Sequence, residues 1–141
     1  MWWSQTAVDT FNDRAKCFVD QYSQYGLFGI SVDGNSTLGE NIADNGGIRA
    51  SYNAYKKIAR ESMNLPGLTD FTDDQLFFIA FGQLWCSYST ETSFRAAIAV
   101  DEHSPGEFRN IGTLSNYEEF SEAFNCPAES SMNPPEKCVL W

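Results

Sequence analysis

Thr37-Leu38-Gly39-Glu40-Asn41-Ile42-Ala43-Asp44-Asn45-Gly46-Gly47 is the stretch on which the fold class turns. It has the form of a capping box, Thr37 as N-cap and Glu40 three residues on, and predicts a helix from about Leu38 toward Met63. Ile42, Tyr52, Tyr55 and Ile58 are the apolar positions of that helix. Glu40 and Asp44 lie four apart, so on a helix their carboxylates leave one face and can address one site. Gly46-Gly47 lowers helix propensity, but it allows another backbone to approach closely. Leu65-Pro66-Gly67 closes the segment.

The same chemistry recurs on both sides. From Ala7 to Tyr22, the apolar residues Ala7, Val8, Phe11, Ala15, Phe18, Val19 and Tyr22 fall on one helix face. Gly26 to Gly34 reads as a loop or turn. Thr72-Asp73-Asp74-Gln75 caps a helix through Leu76, Phe77, Ile79, Phe81, Leu84 and Trp85, which is apolar on most sides and expected to be buried all round. Ser93 to Val100 is a further helix. Ser104-Pro105 places an N-cap residue before a proline at the first helical position, and Ser115-Asn116-Tyr117-Glu118 caps a last helix. The tail from Cys126, with Pro127, Pro134 and Pro135, reads as irregular. The class is all-α.

With 141 residues the chain is one domain by length, and 43% hydrophobic residues are too many for a disordered tail. A formal net charge of −10 repels phosphate backbones and anionic headgroups, which argues against nucleic acid as a partner. The longest apolar run, Leu76 to Phe81, is far shorter than the ~20 residues a bilayer span needs. No signal peptide is visible at Met1-Trp2-Trp3-Ser4-Gln5, so the chain is either cytosolic or without its targeting end. Cys17, Cys86, Cys126 and Cys138 lack C-x-x-C spacing, which makes a zinc knuckle a poor reading. Disulfides in an oxidising compartment and buried free thiols both remain open from the count alone. Asn35-Ser36-Thr37 is a glycosylation sequon, relevant only to a secreted chain.

Two places hold the chemistry. In the first, Glu40 offers a hard anionic oxygen suited to zinc, and Asp44 can hold a ligating imidazole by its other N–H. The bland alternative leaves Glu40 in the capping box with Thr37 and Asp44 in solvent. The second is His103-Ser104-Pro105-Gly106-Glu107-Phe108-Arg109, which contains the single histidine of the sequence. A histidine donor can stabilise a developing oxyanion, and an arginine fork can grip a carbonyl or carboxylate. The bland alternative is a surface histidine beside an arginine paired with Glu107 or another carboxylate.

Taken in order, the motifs are far more specific. The Thr37 to Gly47 stretch resembles the zinc-ligand signature of the neprilysin and endothelin-converting enzyme family of metallopeptidases. The resemblance continues through Gln75-Leu76-Phe77-Phe78, Gln83-Leu84-Trp85-Cys86 and His103 to Arg109. It ends with Glu119-Phe120-Ser121-Glu122-Ala123-Phe124, Met132-Asn133-Pro134 and Cys138-Val139-Leu140-Trp141, and so covers essentially the whole chain.

The resemblance implies a C-terminal helical part of a gluzincin-type catalytic domain, with roles for particular residues. Glu40 matches the third protein ligand of Zn2+, and Asp44 the carboxylate that orients a zinc-bound histidine. His103 matches the histidine that stabilises the tetrahedral intermediate, and Arg109 the arginine that binds a substrate carbonyl. Leu84 and Trp85 fall where the family lines the pocket for the side chain after the scissile bond. Cys17 and Cys138 match a bridge to the C-terminus, whereas Cys86 and Cys126 match cysteines whose partners lie upstream. The implied parent is a zinc endopeptidase acting on short peptides before bulky apolar residues, either secreted or anchored in the membrane with its catalytic region outside the cell. That setting gives the cysteines and the Asn35 sequon a purpose.

One departure stands against these matches. The family's other two zinc ligands and its general base lie in an H-E-x-x-H helix, and a chain with one histidine has no such motif. The sequence therefore reads as the C-terminal piece of a catalytic region, inactive alone and completed by an N-terminal remainder. The competing reading is a non-catalytic binding module derived from the same family.

Overall fold

The computed structural model describes residues 2–58 and 65–141. Among the described residues six helices carry the fold: α1 Gln5–Tyr22, α2 Leu38–Ile58, α3 Asp73–Leu84, α4 Glu91–Val100, α5 Gly106–Ser115 and α6 Glu118–Ala123. The expected stretch of α2 beyond Ile58 to Met63 lies outside the described residues. Helices α1, α2 and α5 pack on one another, and α6 joins α5 to α3.

The all-α expectation holds with one small addition. Inside the Gly26 to Gly34 loop, β1 Gly26–Leu27 pairs antiparallel with β2 Ile30–Ser31. The hairpin turns through Phe28 at φ 55° and Gly29 at φ 74°. Two positive φ angles in a two-residue turn match the twist of antiparallel strands, which a pattern of glycines shows only as a loop.

The helix starts test the local readings one by one. Thr72 and Gln75 form the expected capping box, with the Thr72 side chain accepting from the Gln75 N–H and the Gln75 side chain accepting from the Thr72 N–H. Ser4 caps α1 and Thr90 caps α4 in the same one-sided manner. The box expected at Thr37 and Glu40 does not form. The turn begins earlier, at Asp33, whose Oδ1 accepts from the N–H groups of Asn35 and Ser36. Thr37 N–H then donates to Asp33 O, so Thr37 already lies inside a bonded turn and Glu40 is released for another partner. Nor does Ser104 cap α5, since its hydroxyl donates to Asn41 and Pro105 takes the cap position. Ser115 is the last residue of α5 rather than the cap of α6.

The core is laid down by the faces that periodicity marked. Ala15, Phe18 and Tyr22 of α1 are buried with Cys138 and Leu140 of the tail, and Phe11, Cys17 and Ile42 lean on them. A second cluster joins Ile48 and Tyr52 of α2 to Phe78, Leu114 and Tyr117. Tyr52 stacks on Phe78 at 5.2 Å and meets Tyr117 edge-on at 5.7 Å, arrangements that add to simple area burial. The Cys17–Cys138 disulfide is present, Cα atoms 5.6 Å apart and 121 residues apart in sequence, and ties α1 to the tail. That tail is otherwise irregular, with only a Ser130–Asn133 bridge.

Two expectations about packing fail. Helix α3 is not buried all round: among its residues only Phe78 is fully covered, and Leu84 is 73% exposed. Its contacts run to α6 and, through Phe77 and Phe78, to Tyr52, which leaves Leu76, Ile79 and Phe81 only partly covered. The Gly46-Gly47 pair does not admit a backbone. A Cβ at Gly46 would stand 3.0 Å from the Trp141 indole nitrogen, whereas Gly47 faces open space.

Candidate active site

Helix α2 delivers Glu40 and Asp44 to the same side, one turn apart, and each finds a partner from the far end of the chain. Glu40 Oε2 lies 3.3 Å from His103 Nε2. Asp44 receives both arms of the Arg109 fork, Nε to Oδ2 at 2.6 Å and Nη2 to Oδ1 at 2.7 Å. The second pair is largely shielded, with side chains 15% and 10% exposed, so its charge-assisted bonds are little screened by water. Those bonds raise the already high pKa of Arg109 further, keeping the guanidinium charged.

The histidine is held from behind. His103 Nδ1 stands 2.8 Å from Asp101 Oδ1, which also accepts the His103 backbone N–H at 2.9 Å. First the backbone bond and then the imidazole hold the Asp101 carboxyl below the usual carboxylate range. Asp101 and Glu40 are both acceptors when ionised, so a ring that bonds the two donates Nδ1–H to Asp101 and presents Nε2–H toward Glu40. Asp101 was not singled out from the sequence, although an aspartate two residues before a histidine is the spacing of an Asx turn.

His103, Asp101 and Arg109 line a cleft of about 440 Å³ with Leu84, Trp85, Phe94 and Ile98, and Glu40 and Asp44 adjoin it through His103 and Arg109. Arg109 lies over the Trp85 ring, the guanidinium carbon 4.0 Å from the ring centroid. A planar cation over indole is attracted by the ring quadrupole and held in orientation. Trp85 comes close to α5 because its carbonyl oxygen would lie 2.8 Å from a Cβ on Gly106, a contact open only to glycine. The structure thus brings Glu40, Asp44, His103, Arg109 and Trp85 together, with Leu84 at the rim. The remaining marked residues lie elsewhere: Asn35 is exposed in the Asp33 turn, Cys86 is exposed and Cys126 half-buried, the latter two as free thiols.

As a complete metal centre, the residues of this chain do not fit. Among the described residues, no three His, Cys, Asp or Glu side chains converge as a metal would require. Glu40 fits as one ligand of a larger set: its carboxylate is half-exposed and faces an imidazole rather than a lysine or arginine.

The chain matches the profile of Peptidase family M13 over residues 1–140. It is 48% identical to human endothelin-converting enzyme 1 over 143 aligned positions, covering 99% of this chain and 18% of that protein. Against neprilysin-3 of Drosophila melanogaster the identity is 45%, again over 99% of this chain and 18% of the relative. The chain therefore spans about a fifth of the length of the curated relatives it matches. Among solved structures, it superposes with a TM-score of 0.90 and 37% identity on the Haemonchus galactose-containing glycoprotein complex, covering 96% of this chain and 24% of that one. It also superposes on the Mycobacterium tuberculosis zinc metalloprotease Zmp1 in complex with an inhibitor, with a TM-score of 0.89, 29% identity, and coverage of 100% of this chain and 23% of that one. A profile that takes in all but the final residue, joined to this fold, makes the chain a member of peptidase family M13.

Proposed function

We propose that these 141 residues form the C-terminal wall of the catalytic cleft of a zinc metalloendopeptidase that cleaves short extracellular peptides on the amino side of bulky apolar residues. The observation that carries this reading is a cleft lined by His103, Arg109 and Trp85 with Glu40 against the His103 ring, four residues brought from four separate segments of the chain. Glu40 would hold the ion with two histidines of an H-E-x-x-H helix that this sequence does not contain. Zinc, when bound, polarises the scissile carbonyl and activates water.

The rest is work for this chain's own side chains. His103 Nε2, with its ring held by Asp101, is placed to donate to an oxyanion as charge develops. Arg109 is fixed by Asp44 through Nε and Nη2, and no protein hydrogen bond among the described residues engages its Nη1, which is available for a substrate carbonyl. Asp44 retains further lone pairs beside the arginine with which to orient a zinc-bound imidazole. Leu84 and Trp85 supply the apolar wall for the side chain after the scissile bond. The Cys17–Cys138 bridge and the exposed Asn35 sequon suit a catalytic region outside the cell, secreted or membrane-anchored, with Cys86 and Cys126 paired to the upstream remainder. No helix of the described residues is long and apolar enough to cross a membrane.

The test uses the oxidised 141-residue chain and a short peptide with a bulky apolar residue after the bond to be cut. Oxidation matters because reduced thiolates bind zinc readily. The expected result is no cleavage above buffer, because the group that activates water is not in the chain. Cleavage abolished both by a chelator and by Glu40→Gln overturns the reading. A second reading, a non-catalytic binding module, draws on the uncovered apolar residues Leu84 and Val100, 73% and 87% exposed. An H-E-x-x-H helix encoded upstream of Met1 decides for the enzyme, and an independent start with no upstream frame decides for the module.

A further inference from the structure

Beside each partner of the Glu40–His103 pair stands a residue that is buried and has no part in the chemistry above. Asn41 follows Glu40 on α2 and is 0% exposed, and Ser104 follows His103 and is 3% exposed. Ser104 Oγ donates to Asn41 Oδ1 at 2.8 Å, across 63 residues of sequence. Asn41 Nδ2 donates to Thr37 Oγ1 at 2.9 Å, and Thr37 Oγ1 donates in turn to Asp33 O at 2.9 Å. We propose that Asn41 and Ser104 are positioning residues of the site, a buried tie that sets the His103 loop against helix α2 and so places the imidazole opposite Glu40.

The polarity of the chain of bonds leaves little freedom. A hydroxyl has one proton, and that of Thr37 is engaged by the Asp33 carbonyl, so Thr37 can only accept from Asn41. The amide of Asn41 must therefore turn its NH2 toward Thr37 and its oxygen toward Ser104, which makes Ser104 the donor. One rigid turn, Asp33 to Thr37, thus dictates the orientation of a side chain 63 residues from the loop it holds. The His103 loop has few other anchors: Asp101 orients the ring but belongs to the same loop, and the Arg109–Asp44 pair acts about one turn further along, on α5 and α2. Within a buried network each bond is strengthened by the low local dielectric, and loss of one partner leaves the other unsatisfied.

This inference rests on the proposed function for its kinetic consequence, but not for its geometry, and the test separates the two. In the 141-residue chain, nuclear Overhauser contacts between the His103 ring and the Glu40 methylenes report the placement. Ser104→Ala is expected to abolish them while contacts in the Tyr52–Phe78 and Tyr22–Thr113 regions persist. Ser104→Thr, which keeps the Oγ donor, is expected to retain them. Loss of the contacts in folded Ser104→Thr, or their survival in Ser104→Ala, overturns the proposal. In the full-length protein, Ser104→Ala should lower kcat about ten- to a hundredfold with KM and zinc content unchanged, the size expected when a reacting group is displaced by about an ångström. Added to His103→Ala, it should lower kcat no further. An equal additional loss in that background assigns the bond to general stability and overturns the positioning role. A full-length protein without peptidase activity removes the proposed function alone, and the Overhauser contacts still decide whether the tie positions His103.

Discussion

Removing the Cys17–Cys138 bridge by Cys17→Ala with Cys138→Ala is the perturbation whose size follows most directly from the fold. The bridge joins residues 121 apart, so it encloses most of the chain. In the chain-entropy model, cross-linking a loop of that length removes about 16 cal/mol/K from the unfolded ensemble, or roughly 5 kcal/mol at 25 °C. Alanine avoids placing a new polar group beside Phe18, Tyr22 and Leu140, where Cys138 is 5% exposed. A urea slope of roughly 2 kcal/mol per molar turns this into a midpoint lower by about 2.5 M, with a slope changed only by the looser unfolded chain. The assay is urea unfolding followed by far-ultraviolet circular dichroism and by tryptophan fluorescence, with coincidence of the two curves as the check on two-state behaviour. Reduced wild-type protein should follow the double variant. A midpoint shift below about 0.5 M at unchanged slope would refute the reasoning, because the bridge would then constrain nothing that the packed tail does not already hold.

Gly112→Ala should destabilise by about 1–3 kcal/mol, the usual cost of overpacking, since a Cβ there would stand 2.5 Å from Cζ of the fully buried Tyr22. Urea midpoints check it, and an unchanged midpoint would show that the Tyr22 ring can move aside. Burial pushes the phenols of Tyr52 and Tyr117 up to about 12 and that of Tyr22 higher still. A neutral group whose pKa is raised by folding contributes stability that is complete below its ordinary value of about 10 and lost as pH rises through the folded value. Helical dichroism should therefore fall together with the appearance of tyrosinate absorbance as the pH approaches 12, and ionisation of these phenols near 10 with the helices intact would contradict it. In the full-length protein, Glu40→Gln should lower zinc content and turnover together, whereas His103→Ala should spare zinc and lower kcat by about 10²–10³ as an oxyanion donor does. Equal loss of metal in both variants would show the two roles to be wrongly assigned.

Much of the local architecture was open to reading before any coordinates. Apolar spacing placed α1 and α4 within a few residues of their observed bounds, and a cap placed the start of α3, because a helix start can be a bond between a side chain and a backbone N–H three residues on. Thr72 with Gln75 is such a pair. The same logic failed at Thr37, where the preceding Asp33 turn had already satisfied the backbone group that Glu40 was expected to take. It failed again for α3, whose composition reports how apolar a helix is but not how many neighbours arrive to cover it.

The sequence by itself determined which groups share a helix face: Glu40 and Asp44 must point the same way once α2 forms, because 3.6 residues make a turn. Tertiary structure alone decided what they point at. Arg109 had Glu107 two residues away and bonds Asp44 instead, across 65 residues. Local spacing cannot choose between those carboxylates, since residues two apart on a helix do not face each other and the distant partner is brought near only when α5 packs on α2. The pairing of Glu40 with His103, the contact of Arg109 with the Trp85 ring and the buried bond from Ser104 to Asn41 have the same origin. Each is a contact between segments more than twenty residues apart, formed where burial of Phe78, Tyr22 and Leu114 offsets the entropy of closing the loops between them.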